Sequence, residues 1–218
     1  MTPNNIADFI REIYKTNEFI ALHEPSFNGN ELSYVTEAIK STYVSSVGKF
    51  VDDFEKKIEI YTGTSKATAT VNGTAALHAA LHVAGVNAGE VVITQALTFV
   101  ATCNVLHHMG VTPAFVDVSK NTMGLCPRAL EIFLDENAVI KENQAYLKKS
   151  QKRIGAVVPM HTFGHPVELD ELVQVCKKWN LVLVEDAAES LGSFYKGRHT
   201  GTIGEYGVVS FNGNKVIT

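Results

Sequence analysis

Near the carboxyl end, Val209, Ser210, Phe211, Asn212, Gly213, Asn214 and Lys215 place an amine in a Gly/Asn-rich loop behind an apolar strand, 29 residues after Asp186. An imine-forming lysine needs a partly desolvated position where free amine can attack a carbonyl. A loop beyond the carboxyl end of a sheet strand offers one. Taken alone, Lys215 reads as a surface lysine, as most lysines are; its neighbours make it a candidate. Asp186 closes the apolar run Leu181 to Glu185 and precedes two alanines. A carboxylate buried there is costly without a cation, and a protonated pyridine nitrogen is one that fits, because the pairing keeps such a ring electron-poor. A helix cap or an arginine salt bridge is the blander reading, and the residues leave both open.

Asn72, Gly73 and Thr74 join an apolar run to an Ala-rich helix, whose amino terminus offers free N–H groups and a positive dipole to a phosphate. Ser210 and Asn212 could add hydroxyl and amide donors to the same group. Phe99 starts another helix, from which its ring could lie on a flat ligand, a contact of about 1 kcal/mol. No metal site is expected. His78 and His82, and His161 and His165, are spaced by four, but neither pair has the carboxylate of an H-E-x-x-H pattern. His107 and His108 are adjacent and diverge on a helix. His161 follows an apolar run, which predicts a place near a substrate pocket.

These residues need a scaffold that brings five stretches of chain together. Apolar runs predict buried strands at Ala67 to Val71, Val91 to Thr94, Pro113 to Val118, Ile154 to Met160, Leu181 to Glu185 and Gly207 to Phe211. Helical patterns lie between them at Thr74 to Ala84, Phe99 to Met109 and Glu168 to Trp179, the last with Leu169, Leu172, Val173 and Cys176 on one face. Upstream, Glu31 to Ser41 and Phe50 to Tyr61 predict two amphipathic helices. Glu136 to Arg153 is charged and predicts a solvated helix end and loop. The alternation implies an α/β chain with a mostly parallel sheet and helices on both faces. It reads as one domain over residues 1–218, the helices of residues 1–62 included.

Nearly half the residues are apolar and the formal net charge is −4, so neither disorder nor a nucleic-acid surface is expected. Residues 67–89 and 91–116 lack charged side chains, yet Asn72, His78, His82, Gln95, Asn104, His107, Gly110 and Pro113 interrupt them, against the roughly 20 mostly apolar residues of a membrane span. Residues 1–12 have no apolar core of a secretory signal, and a cytoplasmic setting is the expectation. Cys103, Cys126 and Cys176 are odd in number without C-x-x-C spacing, which predicts reduced thiols.

Four runs then carry a resemblance: Asn-Gly-Thr-Ala-Ala-Leu-His-Ala-Ala-Leu at 72–81, Thr-Phe-Val-Ala-Thr at 98–102, Glu-Asp-Ala-Ala-Glu-Ser at 185–190 and Ser-Phe-Asn-Gly-Asn-Lys at 210–215. With the Lys-Gly-Arg turn at 196–198, their order from about Phe27 onward resembles the pyridoxal phosphate-dependent nucleotide-sugar aminotransferases of the DegT/DnrJ/EryC1/StrS group. The resemblance implies a fold-type I transferase large domain. Lys215 would form the imine with pyridoxal phosphate, and Asp186 would hold its ring nitrogen. Gly73, Thr74 and Ser210 would bind its phosphate, with Asn212 a further candidate. Phe99 would stack on the ring, and Glu189 would approach the ring hydroxyl. Glu189 departs from the Gln or His of relatives, and a carboxylate beside a phenolate repels unless a proton lies between them.

Glutamate would be the amino donor and a nucleotide-linked keto sugar the acceptor, in a homodimer. Tyr-Val-Ser-Ser-Val-Gly-Lys-Phe-Val at 43–51 and Met-His-Thr-Phe-Gly-His-Pro at 160–166 look most like the branch that aminates UDP-linked 4-keto-6-deoxy sugars in legionaminic acid and bacillosamine pathways. A sugar dehydratase with the same cofactor is an alternative, but those relatives carry histidine in place of Lys215. A noncatalytic homologue would be marked by loss of Lys215 or Asp186. A nicotinamide enzyme lacks its G-x-G-x-x-G. The resemblance also implies a small carboxyl-terminal domain that residues 1–218 lack, so that these residues alone would bind cofactor weakly or not at all.

Overall fold

The computed structural model describes residues 2–218. Its elements are α1 (Pro3–Tyr14), α2 (Glu31–Ser41), α3 (Lys49–Thr62), α4 (Gly73–Val83), β1 (Val91–Gln95), α5 (Val100–His108), β2 (Thr112–Val116) and α6 (Pro127–Asn137), followed by β3 (Ala138–Lys141), β4 (Gln144–Leu147), β5 (Ile154–Val158), α7 (Leu169–Trp179), β6 (Val182–Asp186), β7 (Phe194–Tyr195), β8 (Arg198–His199) and β9 (Tyr206–Val208). Five strands form one parallel sheet in the order β2-β1-β5-β6-β9. Parallel neighbours need crossovers, and the crossing helices bury both faces. Val92, Ala156, Val158, Val184 and Val208 face α4 and α5, packing with Leu77, Leu81, Val105 and Leu106. Ile93, Ile154, Val157 and Leu183 face α6 and α7, packing with Leu130, Leu134, Leu169 and Leu172. Every residue of β1 and β5 is buried, which is why neither carries a charged side chain. Each fully buried Leu or Ile here stabilises the fold by about 1.5–3 kcal/mol.

In α7 the acidic residues Asp170 and Glu171 lie in the first turn and Lys177 and Lys178 in the last, matching the helix dipole. Its buried side is Leu169, Leu172, Val175, Cys176 and Trp179. Burial first, and Glu205 second, push the Cys176 thiol up to about 12. The three cysteines are unpaired thiols. Among the described residues no helix is long and apolar enough to cross a membrane.

Several expectations are corrected. Ala67 to Val71 is extended but forms no strand. The Ala67 and Ala69 amides donate to Glu59 and Glu55 of α3, and a cavity of about 1180 Å³ separates the segment from β9. The expected strand Gly207 to Phe211 is Tyr206–Val208, and Pro113 to Val118 is Thr112–Val116, with Val118 left in an isolated bridge to Leu125. Glu136 to Arg153 is not a plain loop, since β3 and β4 pair antiparallel across it. Glu142 and Asn143 both adopt positive φ, 50° and 61°, the geometry that a two-residue hairpin turn requires. Ala138 and Ala145 anchor the hairpin to the core. Helices α1, α2 and α3 bury no residue at all, and Ile6, Phe9, Ile13, Leu32, Val35 and Ile39 lie exposed on the first two.

Candidate active site

From β1 the chain steps to β2 on one side and then returns with β5 on the other, so the connections diverge between β1 and β5. Ligands of open α/β sheets sit beyond the strand ends at such a point. Gln95, fully buried at the end of β1, stitches the divergence. Its Oε1 accepts from the Leu125 and Met160 amides at 2.7 and 3.1 Å, and its Nε2 donates to Thr162 Oγ1 at 3.0 Å. The sequence reading passed over Gln95, because nothing local marks it.

Asp186 ends β6 and is buried at 6 % exposure. Its Oδ2 accepts from Thr102 Oγ1 of α5 at 2.7 Å, and its Oδ1 from the Ala188 amide at 3.2 Å. Turns rather than a helix follow, so the helix-cap reading is not what the fold uses. Burial raises the pKa of its carboxyl; Thr102 and Ala188, then His161 and Lys215, pull the other way. A carboxylate with one donor per oxygen in so dry a place is short of positive charge.

Lys215 reaches back toward this point. Asn212 O accepts from the Lys215 amide at 2.8 Å, closing the Asn212-Gly213-Asn214 turn. Its side chain is only 9 % exposed, with Nζ 3.2 Å from Glu189 Oε1 and 5.3 Å from the centre of the Phe99 ring. Phe99 caps α5 at its amino end and is 54 % exposed, so its ring stands open at the mouth. Glu189 Oε2 accepts from the Phe163 amide at 3.2 Å. Phe163 has φ 52° and is 77 % exposed, a conformation uncommon for a bulky residue and frequent near functional sites.

Gly73 opens α4. Asn72 Oδ1 accepts from the Ala75 amide at 2.8 Å, leaving the first-turn amides of Gly73 and Thr74 without an intrahelical acceptor. A Cβ on Gly73 would lie 3.1 Å from Ser210 Cβ and 3.2 Å from its Oγ. Glycine therefore lets the start of α4 come close to the buried Ser210, and both residues line the cavity of about 1180 Å³. Thr74 is exposed. Asn212 Nδ2 donates to Asn214 Oδ1 at 2.7 Å, which ties its side chain to the turn before Lys215.

His161 is fully buried next to Asp186, whose carbonyl accepts from the His161 amide at 3.1 Å. Its Nδ1 accepts from the Val167 amide at 3.2 Å, so Nε2 carries the hydrogen and donates to Glu185 Oε2 at 3.0 Å. Glu185 also accepts from the Gly201, Ile203 and Gly204 amides at 2.8, 2.7 and 2.7 Å. The resulting knot binds the approach to β9, and through it Ser210 and Lys215, to the strand that bears Asp186. The expected residues thus come together from four stretches of chain. The sequence reading missed Thr102, Gln95 and Glu185 as the residues that hold them, and singled out His161 for a different role.

Residues 25–218 match the model of the DegT/DnrJ/EryC1/StrS aminotransferase family. EpsN of Bacillus subtilis is 38 % identical over 199 residues, covering 91 % of this chain and 49 % of EpsN. GDP-perosamine synthase of Escherichia coli O157:H7 is 35 % identical over 201 residues, covering 92 % of this chain and 51 % of the synthase. Among solved structures, the aminotransferase from Psychrobacter cryohalolentis superposes with TM-score 0.78 at 30 % identity, over 92 % of this chain and 47 % of that one. The chain spans about half the length of the curated relatives it matches. With that match lying over the start of α4 at Gly73, the buried Asp186 and the shielded Lys215, the chain belongs to the DegT/DnrJ/EryC1/StrS aminotransferase family.

Proposed function

We propose that the protein transfers an amino group, taken from glutamate, to a keto carbon of a nucleotide-linked deoxy sugar, with pyridoxal phosphate as cofactor. The observation that carries this reading is the shielded Lys215 amine set between Glu189 and the Phe99 ring, with Asp186 buried below. The residues present fit the cofactor. The start of α4, where Gly73 and Ser210 line the cavity, suits a phosphate. Asp186 supplies the charge that a protonated ring nitrogen needs, and the open face of Phe99 suits a flat ring. When bound, the cofactor supplies a carbonyl for amines and an electron-poor ring that accepts the electron pair released at the neighbouring carbon.

The chain's own residues do the rest. Gly73 and Thr74 amides and the Ser210 hydroxyl hold the phosphate; Asp186 holds the ring nitrogen; Phe99 covers one face. Lys215 Nζ would hold the cofactor through its carbonyl carbon, with loss of water, and as a free amine would take and return the proton at the substrate carbon that bears the nitrogen. Glu189 holds Nζ in place while it does so. The likeness to GDP-perosamine synthase supports a nucleotide sugar as acceptor. The UDP-linked 4-keto-6-deoxy sugars of the 43–51 and 160–166 resemblance are our narrower choice. We also propose a homodimer, supported by the exposed apolar faces of α1 and α2, and a cytoplasmic setting.

The test is absorbance with added pyridoxal phosphate, borohydride reduction and peptide mapping, in the 218-residue chain and in a version extended to family length. Reduction that fixes the cofactor to Lys215 in either form is expected; labelling in neither removes the reading. Within this frame, Gly73→Ala is expected to weaken pyridoxal phosphate binding about tenfold, since overpacking costs about 1–3 kcal/mol. Binding of the phosphate-free aldehyde should not change. Equal weakening of both, read by fluorescence titration, would place the phosphate elsewhere.

A further inference from the structure

Thr102 is fully buried on α5, three residues after Phe99, and its hydroxyl crosses 84 residues of chain to reach Asp186. A threonine inside a helix ordinarily turns its hydroxyl back to a carbonyl of its own preceding turn. Here Oγ1 lies 2.7 Å from Asp186 Oδ2 instead. A hydroxyl has one hydrogen. Having given it to Asp186, Thr102 Oγ1 can only accept, and Thr98 Oγ1 stands 3.1 Å away as its donor. Thr98 itself lies at the entrance of α5, where Met160 Sδ is 3.2 Å from both the Thr98 hydroxyl and the Phe99 amide.

We propose that Thr102, aimed by Thr98, is a positioning residue for Asp186: it occupies one side of the Oδ2 oxygen and turns the remaining lone pairs of the carboxylate toward the ring nitrogen of the cofactor. The proposal rests on the pyridoxal phosphate reading above. Three features support it. Thr102 gives its one hydrogen to the carboxylate, and Thr98 is in reach to supply the hydrogen that Thr102 accepts, so the pair favours an acceptor-only, ionised Asp186. Burial drives the same carboxyl the other way, and the charged groups near it are few: His161, which donates to Glu185, Glu185 on the opposite face of β6, and Lys215, which faces Glu189. Finally, the helix that carries Thr102 also carries Phe99 at its cap, so one rigid element sets both the ring face and the carboxylate.

The test compares affinity for pyridoxal phosphate with affinity for an analogue having C–H in place of the ring nitrogen, by fluorescence titration of whichever form of the protein the borohydride experiment shows to bind. Wild type should prefer the true cofactor. In Thr102→Val, equal in shape but lacking the hydroxyl, that preference should fall about tenfold, the scale of one hydrogen bond to a charged group. Thr102→Ser should restore it. Thr98→Val, which removes only the outer donor, should show a smaller fall and keeps the question answerable should Thr102→Val not fold. An undiminished preference in Thr102→Val, or equal weakening of both ligands, overturns the proposal and leaves the cofactor reading intact. Absence of binding by wild type strikes the cofactor reading itself.

Discussion

Lys215→Ala is expected to lower the rate of amino transfer from glutamate to a nucleotide-linked keto sugar about a thousandfold or more. That is the upper part of the range that one positioned proton-transfer group contributes, and the same amine also makes the covalent link. The fold should hardly notice. The Glu189 side chain left behind is 23 % exposed and keeps the Phe163 amide, so the lost ion pair is worth about 1 kcal/mol or less. Lys215→Arg separates the two roles of the side chain. It keeps a cation opposite Glu189 but cannot give up its proton, and it should be as inactive as the alanine variant. Initial rates with mass-spectrometric detection of the amino sugar decide the matter; either variant within tenfold of wild type would falsify the assignment of Lys215.

Asp186→Asn should move cofactor binding and stability in opposite directions. In the folded chain the Asp186 carboxyl is raised, by burial first, against the pull of Thr102, Ala188, His161 and Lys215. A raised carboxyl holds its proton more tightly folded than unfolded. Stability therefore falls as pH rises through the ordinary aspartate value of about 3.9 and goes on falling until the folded group has also ionised. Asparagine carries no such cost. Without cofactor, Asp186→Asn should resist urea better than wild type at neutral pH, and the advantage should shrink as the pH is taken below about 4. Glu185 titrates in both proteins and cancels. Cofactor affinity should drop at least about tenfold, since a hydrogen bond to a charged group is worth about 1.5–3 kcal/mol. Wild-type affinity in the variant would mean that residue 186 does not hold the ring nitrogen.

These two residues were legible before any coordinates, and so was most of the sheet, for a common reason. β1 and β5 are buried on both faces and therefore carry no charged side chain. Asp186 stands where the β6 run stops, and Lys215 lies in the turn that follows β9. Ala67 to Val71 is just as apolar in composition, but Glu55 and Glu59 take its amides, and no local pattern reports a bond to a helix eight or fourteen residues upstream. The β3 and β4 hairpin hid because its strands are short, charged residues flank them, and only Ala138 and Ala145 are deeply buried. Glu142 and Asn143, in place of a glycine, gave its turn no obvious mark. Thr102, Gln95 and Glu185 were invisible for the deepest reason: each acts through one long-range hydrogen bond or a few, and hydrogen-bond partners leave no periodicity.

Glu185 has a consequence for how the molecule comes apart. Burial opposes its charge, but His161 and the Gly201 and Gly204 amides outweigh that and hold its carboxyl below the ordinary glutamate value. Its contribution is fully present above about pH 4.3 and drains away as acid carries the folded group through its own lower pKa. The segment from Gly201 to Gly204 gives three amides to that one ion, whereas β1 and β5 pair backbone to backbone. Acid should therefore release the amides of Gly201, Ile203 and Gly204 to hydrogen exchange together, ahead of the sheet. Lys215, tethered just beyond them, would then lose its register in a molecule whose centre is still intact.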